Sequence, residues 1–189
     1  SWGFNSVHGR AAAVTTGATL ANHKLLYLLV SGDGDTASIG MGQFVHMVRR
    51  NPQCVYIMEN NGVYGLTKGQ FSATADKGAK QKTGGVNPLH SIDMCSLSIE
   101  LGCGFVARAF AGNLPQMQAV IRAAASYPGM AVIDIISPCV TFNNFEWSRY
   151  GFDYMKGHQD IVNEFGFVPS TDNVEVEMEP GTVKDVKLP

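Results

Sequence analysis

Two glycines around an aspartate, set at the end of an apolar run, constrain this chain more than any other feature of it. Residues 25–31 are almost continuously apolar and pass directly into Gly32-Asp33-Gly34-Asp35. A short run of that kind predicts a parallel strand buried on both faces. The glycines that follow permit a tight turn with its backbone N–H groups exposed. Residues 36–50 carry apolar Ile39, Phe44, Val45 and Val48 and end in Arg49-Arg50, cations suited to the negative end of a helix, while Pro52 prevents continuation. Residues 54–58 predict the next short strand, which runs into Asn60-Asn61-Gly62. A single βαβ crossover therefore sets the two polar turns at neighbouring strand ends.

The rest of the chain extends the same alternation. Ala-rich residues 10–21 predict a tightly packed helix despite Gly17, and residues 60–87, mostly Gly, Lys, Thr, Gln and Asn, predict a long loop. A helix over 91–101 and a strand over 105–110 follow. Asn113 is a suitable N-cap for a helix through Ser126 with Pro115 in its first turn, and after Pro128-Gly129 residues 131–136 predict another buried strand. This order predicts an α/β fold, doubly wound around a mostly parallel sheet. After Pro138 the pattern dissolves, and an acidic stretch lies at 175–179. The expected organisation is an α/β domain over 1–137 and an extended C-terminal arm and tail over 138–189.

A diphosphate held through Mg²⁺ asks a protein for two things. Backbone N–H groups must approach the phosphate oxygens, and hard oxygen ligands must complete the octahedron that the phosphates begin. Gly32-Asp33-Gly34-Asp35 offers both at a strand's C-terminal end, where open α/β sheets bind ligands. Asn60-Asn61-Gly62 can add an amide oxygen and an exposed carbonyl. Gly-Asp-Gly alone marks any acidic turn. Two such turns at successive strand ends, with a helix between them, are far more restrictive.

The pairing resembles the signature of thiamine diphosphate enzymes, Gly-Asp-Gly followed almost thirty residues later by Asn-Asn; here Asn61 lies 28 positions after Asp33. His8-Gly9-Arg10, Arg49-Arg50-Asn51-Pro52, the string Asn60-Asn61-Gly62-Val63-Tyr64-Gly65-Leu66-Thr67-Lys68-Gly69-Gln70, Ser137-Pro138-Cys139 and Thr141-Phe142-Asn143 narrow it. Together they resemble the β subunit of 2-oxoacid:ferredoxin oxidoreductases, from His8 to about Gly166. The resemblance implies the thiamine diphosphate-binding fold and oxidative decarboxylation of a 2-oxoacid, 2-oxoglutarate above others, to an acyl-CoA with electrons passed to ferredoxin. It implies Asp33, the Asn61 side chain and the Val63 carbonyl as Mg²⁺ ligands, with His8, Arg10, Gly34, Asp35, Gly65 and Leu66 around thiamine diphosphate. Lys68 and Leu66 would meet the substrate, although on composition alone Lys68 reads as a solvated loop cation. The activating glutamate would come from the partner α subunit, leaving Glu59 a polar neighbour of the site.

The same resemblance makes Cys139 a ligand of a [4Fe–4S] cluster whose other three cysteines precede the His-Gly-Arg motif. A four-iron cluster needs four ligands, and Cys54, Cys95 and Cys103 read as structural thiols. Either the polypeptide is longer than this chain or the chain is a cluster-deficient relative; both ends look like cuts through a longer polypeptide. A non-oxidative thiamine diphosphate-dependent decarboxylase and a cofactor-binding module inactive without partners stand as alternatives. Composition narrows the remaining classes. A net charge of −2 with no basic stripe argues against nucleic acid as a partner. The apolar run 25–30 is too short to cross a membrane, and four dispersed cysteines suit a reducing cytoplasm.

Overall fold

In the computed structural model, residues 3–158 are described, all within the first of the two units into which the chain divides, Ser1–Gln159. The acidic stretch at 175–179 and most of the expected arm lie outside the described residues.

Four parallel strands form the central sheet: β1 (Tyr27–Gly32), β2 (Cys54–Asn60), β5 (Phe105–Phe110) and β6 (Met130–Ile136), in the order β1-β2-β6-β5. Side chains alternate across a pleated strand, so each strand feeds two cores. On one face Leu29, Cys54, Tyr56, Met58, Met130 and Val132 pack against α1 (Ala11–Ala21), α2 (Met41–Arg50) and α3 (Met94–Glu100) through Ala12, Phe44, Met47 and Met94. On the other, Val55, Ile57, Ala107, Ile133 and Ile135 pack against α4 (Leu114–Ser126) through Val120 and Ala124. Helices on both faces of a parallel sheet make the domain doubly wound.

Most predicted elements are present, and the departures have physical causes. The first strand is not buried on both faces. It lies at the sheet edge beyond the reach of α4, so Leu28 and Val30 point outward and are 61% and 52% exposed. The helix expected over 36–50 is two pieces, a π-helical segment Gly34–Ile39 and then α2, with the break at Gly40. Gly40 packs its backbone against Gly9 and Asp35, where a Cβ would fall 2.8 Å and 2.7 Å from their carbonyl oxygens. The wide turn closes through Gly40 N–H to the Asp35 carbonyl, 2.7 Å, and such π turns recur at functional sites. Within the long loop, β3 (Val63–Tyr64) and β4 (Gln70–Phe71) pair antiparallel as a small separate hairpin. The helix expected over 91–101 starts later, because the Asp93 carboxylate accepts from the Cys95 and Ser96 N–H groups and caps it. Asn113 caps α4 as expected, accepting from Gln116 N–H. Past Pro138 a short helix, α5 (Phe152–Gly157), sets Phe152 against Phe110 with ring centroids 5.3 Å apart.

All four cysteines are free. Burial pushes the Cys54 thiol up to about 12, and burial with the Asp134 carboxylate nearby does the same to Cys95. A thiol of that kind is about one part in ten thousand thiolate at pH 8 and is correspondingly unreactive. Two outcomes follow from this core. Ile133→Ala, at a fully buried position in β6, is expected to cost about 2–5 kcal/mol of stability, read by denaturant titration of the complete protein. Cys54 and Cys95 are expected to stay unmodified by iodoacetamide at pH 8 in the native protein and to label only after denaturation, as peptide mass mapping would show; early labelling of either would contradict this packing.

Candidate functional site

Asp33 sits where β1 ends and the π-helical segment begins, and its residue is 2% exposed. Burial holds its carboxyl above the ordinary carboxylate range, and the surrounding donors oppose that shift without reversing it: the Ser72 and Thr74 hydroxyls first, then a backbone N–H of the Asn61-Gly62 turn. The donors converge on one oxygen. Oδ2 accepts from Gly62 N–H at 3.1 Å, from Thr74 Oγ1 at 2.6 Å and from the Ser72 hydroxyl. Gly62 lies between Asn61 and Val63, so this bond joins the two halves of the site recognised in the sequence.

Gly34 is close-packed for a different reason. Its Cβ would fall 2.4 Å from the Tyr64 ring, and the Tyr64 hydroxyl donates to the Gly34 carbonyl at 3.0 Å. Only a glycine lets the hairpin loop lie this tightly across the first turn of the helical segment. Asp35 extends from that turn and pairs with His8, Nδ1 to Oδ1 2.7 Å. Arg10 is exposed at the start of α1, its guanidinium 3.5 Å from the Gly9 carbonyl. Asn61 folds back on its own loop, its Oδ1 accepting from Val63 N–H at 3.1 Å, while its carbonyl accepts from Asn143 Nδ2 at 2.7 Å.

The loop's outer turn is a different environment. Leu66 is 92% exposed and Lys68 is exposed, with a left-handed φ of 74°. The turn closes through Lys68 N–H to the Gly65 carbonyl, 3.1 Å. Cys139 backs the same turn from beyond β6: a Cβ on Gly65 would be 3.8 Å from its sulfur. Glu59 faces outward at the end of β2 and is exposed. The structure thus gathers Asp33, Gly34, Asp35, Asn61, Val63 and Gly65 around one strand-end crevice, joins His8 to it through Asp35, and leaves Lys68 and Leu66 on its rim.

Several residues here were not singled out from the sequence. Ser72 and Thr74 lie in a turn just after β4, closed by Ala75 N–H to the Ser72 carbonyl at 3.1 Å, and nothing local in the sequence marks them. Nothing local marks Arg149 and Tyr150 either. They reach back some 75 positions to the Thr74 carbonyl, which accepts from Arg149 Nη2 at 3.2 Å and from the Tyr150 hydroxyl. Behind Asn60, the fully buried Asp134 is met by Arg108 Nε at 3.0 Å, and Arg108 Nη2 also pairs with Asp93 at 2.8 Å. Burial raises the Asp134 carboxyl, and the Arg108 guanidinium opposes it.

The donor set suits a hard divalent cation bridged to a diphosphate. It comprises one buried carboxylate whose burial disfavours its charge, an amide oxygen, a loop carbonyl and the N–H-rich turn at Gly34. It does not suit a four-iron cluster by itself. Among the described residues no group of three or more His, Cys, Asp or Glu is placed to hold a metal ion, and Cys139 is a single thiol.

Known proteins are similar to this chain in sequence and fold. The family model described as the C-terminal TPP binding domain of thiamine pyrophosphate enzymes matches residues 1–135. The β subunit of a 2-oxoacid:ferredoxin oxidoreductase from a Sulfolobus species is 41% identical over 155 residues, 77% of this chain and 49% of that protein. The 2-oxoglutarate oxidoreductase subunit KorB of Mycobacterium tuberculosis is 39% identical over 145 residues, 76% of this chain and 39% of the relative. Among solved structures, a 2-oxoglutarate:ferredoxin oxidoreductase from Magnetococcus marinus, with 2-oxoglutarate, coenzyme A and succinyl-CoA bound, aligns with a TM-score of 0.74 at 36% identity, covering 79% of this chain and 50% of that one. The chain spans about half the length of these relatives or less. With its parallel sheet, its paired strand-end turns and these likenesses, the chain belongs to the thiamine pyrophosphate enzyme family through the C-terminal TPP-binding domain, and its relatives there are β subunits of 2-oxoacid:ferredoxin oxidoreductases.

Proposed function

We propose that this chain binds thiamine diphosphate and Mg²⁺ as part of the β subunit of a 2-oxoacid:ferredoxin oxidoreductase that converts a 2-oxoacid, 2-oxoglutarate first among them, to an acyl-CoA. The observation that carries the reading is the bond from Gly62 N–H to Asp33 Oδ2, which brings the Gly-Asp-Gly and Asn-Asn turns into one cradle at the strand ends. In this reading Asp33, the Asn61 amide and the Val63 carbonyl hold Mg²⁺. Gly34 and Asp35 face the diphosphate, Gly65 and Leu66 line the loop over the cofactor, and His8 and Arg10 close its near side. Bound thiamine diphosphate supplies the carbon nucleophile and the electron sink that decarboxylation requires.

The chain's own residues do the positioning. Gly34 admits Tyr64 so closely that the loop is pinned before any ligand arrives, and Asp35 orients the His8 ring. Lys68, at the exposed turn, is the cation available to a substrate carboxylate. Leu66 beside it offers an apolar surface to the reacting end of the substrate. Acid–base chemistry is assigned to a glutamate of the partner α subunit, because Glu59 faces away from the crevice. Cys139 is the thiol at this edge of the site, proposed as one ligand of a [4Fe–4S] cluster completed from outside the described residues; no step is assigned to it. Ferredoxin, coenzyme A and the α subunit are the proposed partners. No helix among the described residues is long and apolar enough to cross a membrane, and four free cysteines suit the reducing cytoplasm proposed as the setting.

The complete protein with its partner subunit is expected to bind thiamine diphosphate only with Mg²⁺ and to reduce ferredoxin with 2-oxoglutarate and coenzyme A. Asp33→Ala is expected to abolish Mg²⁺-dependent cofactor binding by calorimetry; unchanged affinity would sink the metal assignment. Lys68→Ala is expected to raise KM for the 2-oxoacid about tenfold or more, equivalent to at least about 1.4 kcal/mol of lost substrate binding, with a smaller effect on kcat. An unchanged KM would return Lys68 to the solvent.

A further inference from the structure

The Asp33 carboxylate is gripped unevenly. Oδ2 receives three donors, Gly62 N–H at 3.1 Å, Thr74 Oγ1 at 2.6 Å and the Ser72 hydroxyl, whereas neither hydroxyl engages Oδ1. A carboxylate oxygen has two lone-pair directions, so three donors leave none on Oδ2 for a cation. Both hydroxyls come from the same side, are buried, and lie 2.8 Å from each other. Thr74 is itself held through its backbone: its carbonyl accepts from Arg149 and Tyr150, while Asn60 Oδ1, 3.0 Å from its hydroxyl, is an alternative acceptor for the one proton given to Asp33. Arg149 is also paired by charge with Asp76, Nε 2.7 Å from Oδ1. Thr74 has little freedom left, so its hydroxyl is a rigid stop for the Asp33 side chain.

We propose that Ser72 and Thr74 are positioning residues for the metal site: by occupying Oδ2 they set the rotation of the Asp33 carboxylate and present Oδ1 to Mg²⁺. The inference rests on the metal reading proposed above. Hydrogen bonds behind a metal ligand orient it and tune its affinity, and their removal typically weakens metal binding about 10–100-fold. The geometry also ties the hairpin loop to the metal. Ser72 follows β4 directly, and its N–H donates to the Gly62 carbonyl at 3.1 Å, so one loop carries both the positioning hydroxyls and the Asn61–Val63 ligands.

The test compares the complete protein, assembled with its partner subunit, as wild type, Ser72→Ala, Thr74→Val and Thr74→Ser. Thiamine diphosphate binding is followed by calorimetry across an Mg²⁺ titration. Substituting Mn²⁺ reports the metal's ligand field by electron paramagnetic resonance. The expected result is a 10–100-fold rise in the Mg²⁺ concentration for half-saturation in Thr74→Val and Ser72→Ala. Each should also change the Mn²⁺ spectrum, and Thr74→Ser should return both readouts to within about threefold of wild type. A merely structural role would lower thermal stability and leave the Mn²⁺ spectrum and the half-saturation point of the folded fraction unmoved; that outcome overturns the inference while the metal reading stands. If the wild type itself shows no Mg²⁺-dependent cofactor binding, the metal reading fails and the inference with it. Should Thr74→Val fail to accumulate as folded protein, Ser72→Ala carries the same comparison.

Discussion

A carboxylate removed from water must be met by donors or a cation, and the burial of Asp33 imposes that requirement on much of this domain. Transfer of an ionised group into a poorly solvated site is costly enough that an uncompensated carboxylate takes up a proton. The chain supplies compensation from distant places: Gly62 from the turn after β2, Ser72 and Thr74 from beyond the hairpin. A second tier holds the first. Tyr150 and Arg149 fix the Thr74 carbonyl, and Asn143 fixes the Asn61 carbonyl. The residues past Pro138 are thus part of the crevice wall as far as they are described, although their sequence shows no periodicity.

Order this dense in a loop is unusual. Loops normally leave backbone groups to solvent and vary in conformation. Here the stretch from Asn60 to Ala75 is pinned at Gly34 by the Tyr64 ring, at Asp33 by three donors and at the Asn61 carbonyl by Asn143. Only the outer turn at Leu66 and Lys68 stands free of it, with a left-handed backbone at Lys68. The loop thus has a fixed inner wall and an exposed outer turn.

A second buried carboxylate, Asp134, sits behind the first and is compensated by the opposite strategy. It has an arginine, Arg108, which it shares with Asp93. Arg108 meets one oxygen of Asp134 and leaves its Oδ1 buried without a hydrogen-bond partner among the described residues, whereas Asp33 is met by hydroxyls and an N–H group while burial still holds its carboxyl above the ordinary range. Asn60 lies between the two, within reach of Thr74 on one side and the cavity lined by Asp134 and Arg108 on the other. The two carboxylates differ in partner rather than in depth.

Much of this was legible in the sequence. Apolar runs separated by turn residues determined the parallel α/β fold, and Asn113 and the Arg49-Arg50 pair marked helix ends, because those signals are local. Gly-Asp-Gly and Asn-Asn marked the crevice for the same reason: each turn advertises its chemistry in two or three adjacent residues. What the tertiary structure alone decided was set by groups far apart in the chain. The edge position of β1, which bares Leu28 and Val30, depends on where α4 lies. The break at Gly40 depends on Gly9 packing against it. Ser72, Thr74, Arg149 and Tyr150 matter because a buried charge needs donors wherever the fold brings them. Desolvation is a property of the packed molecule, so no stretch of sequence records it.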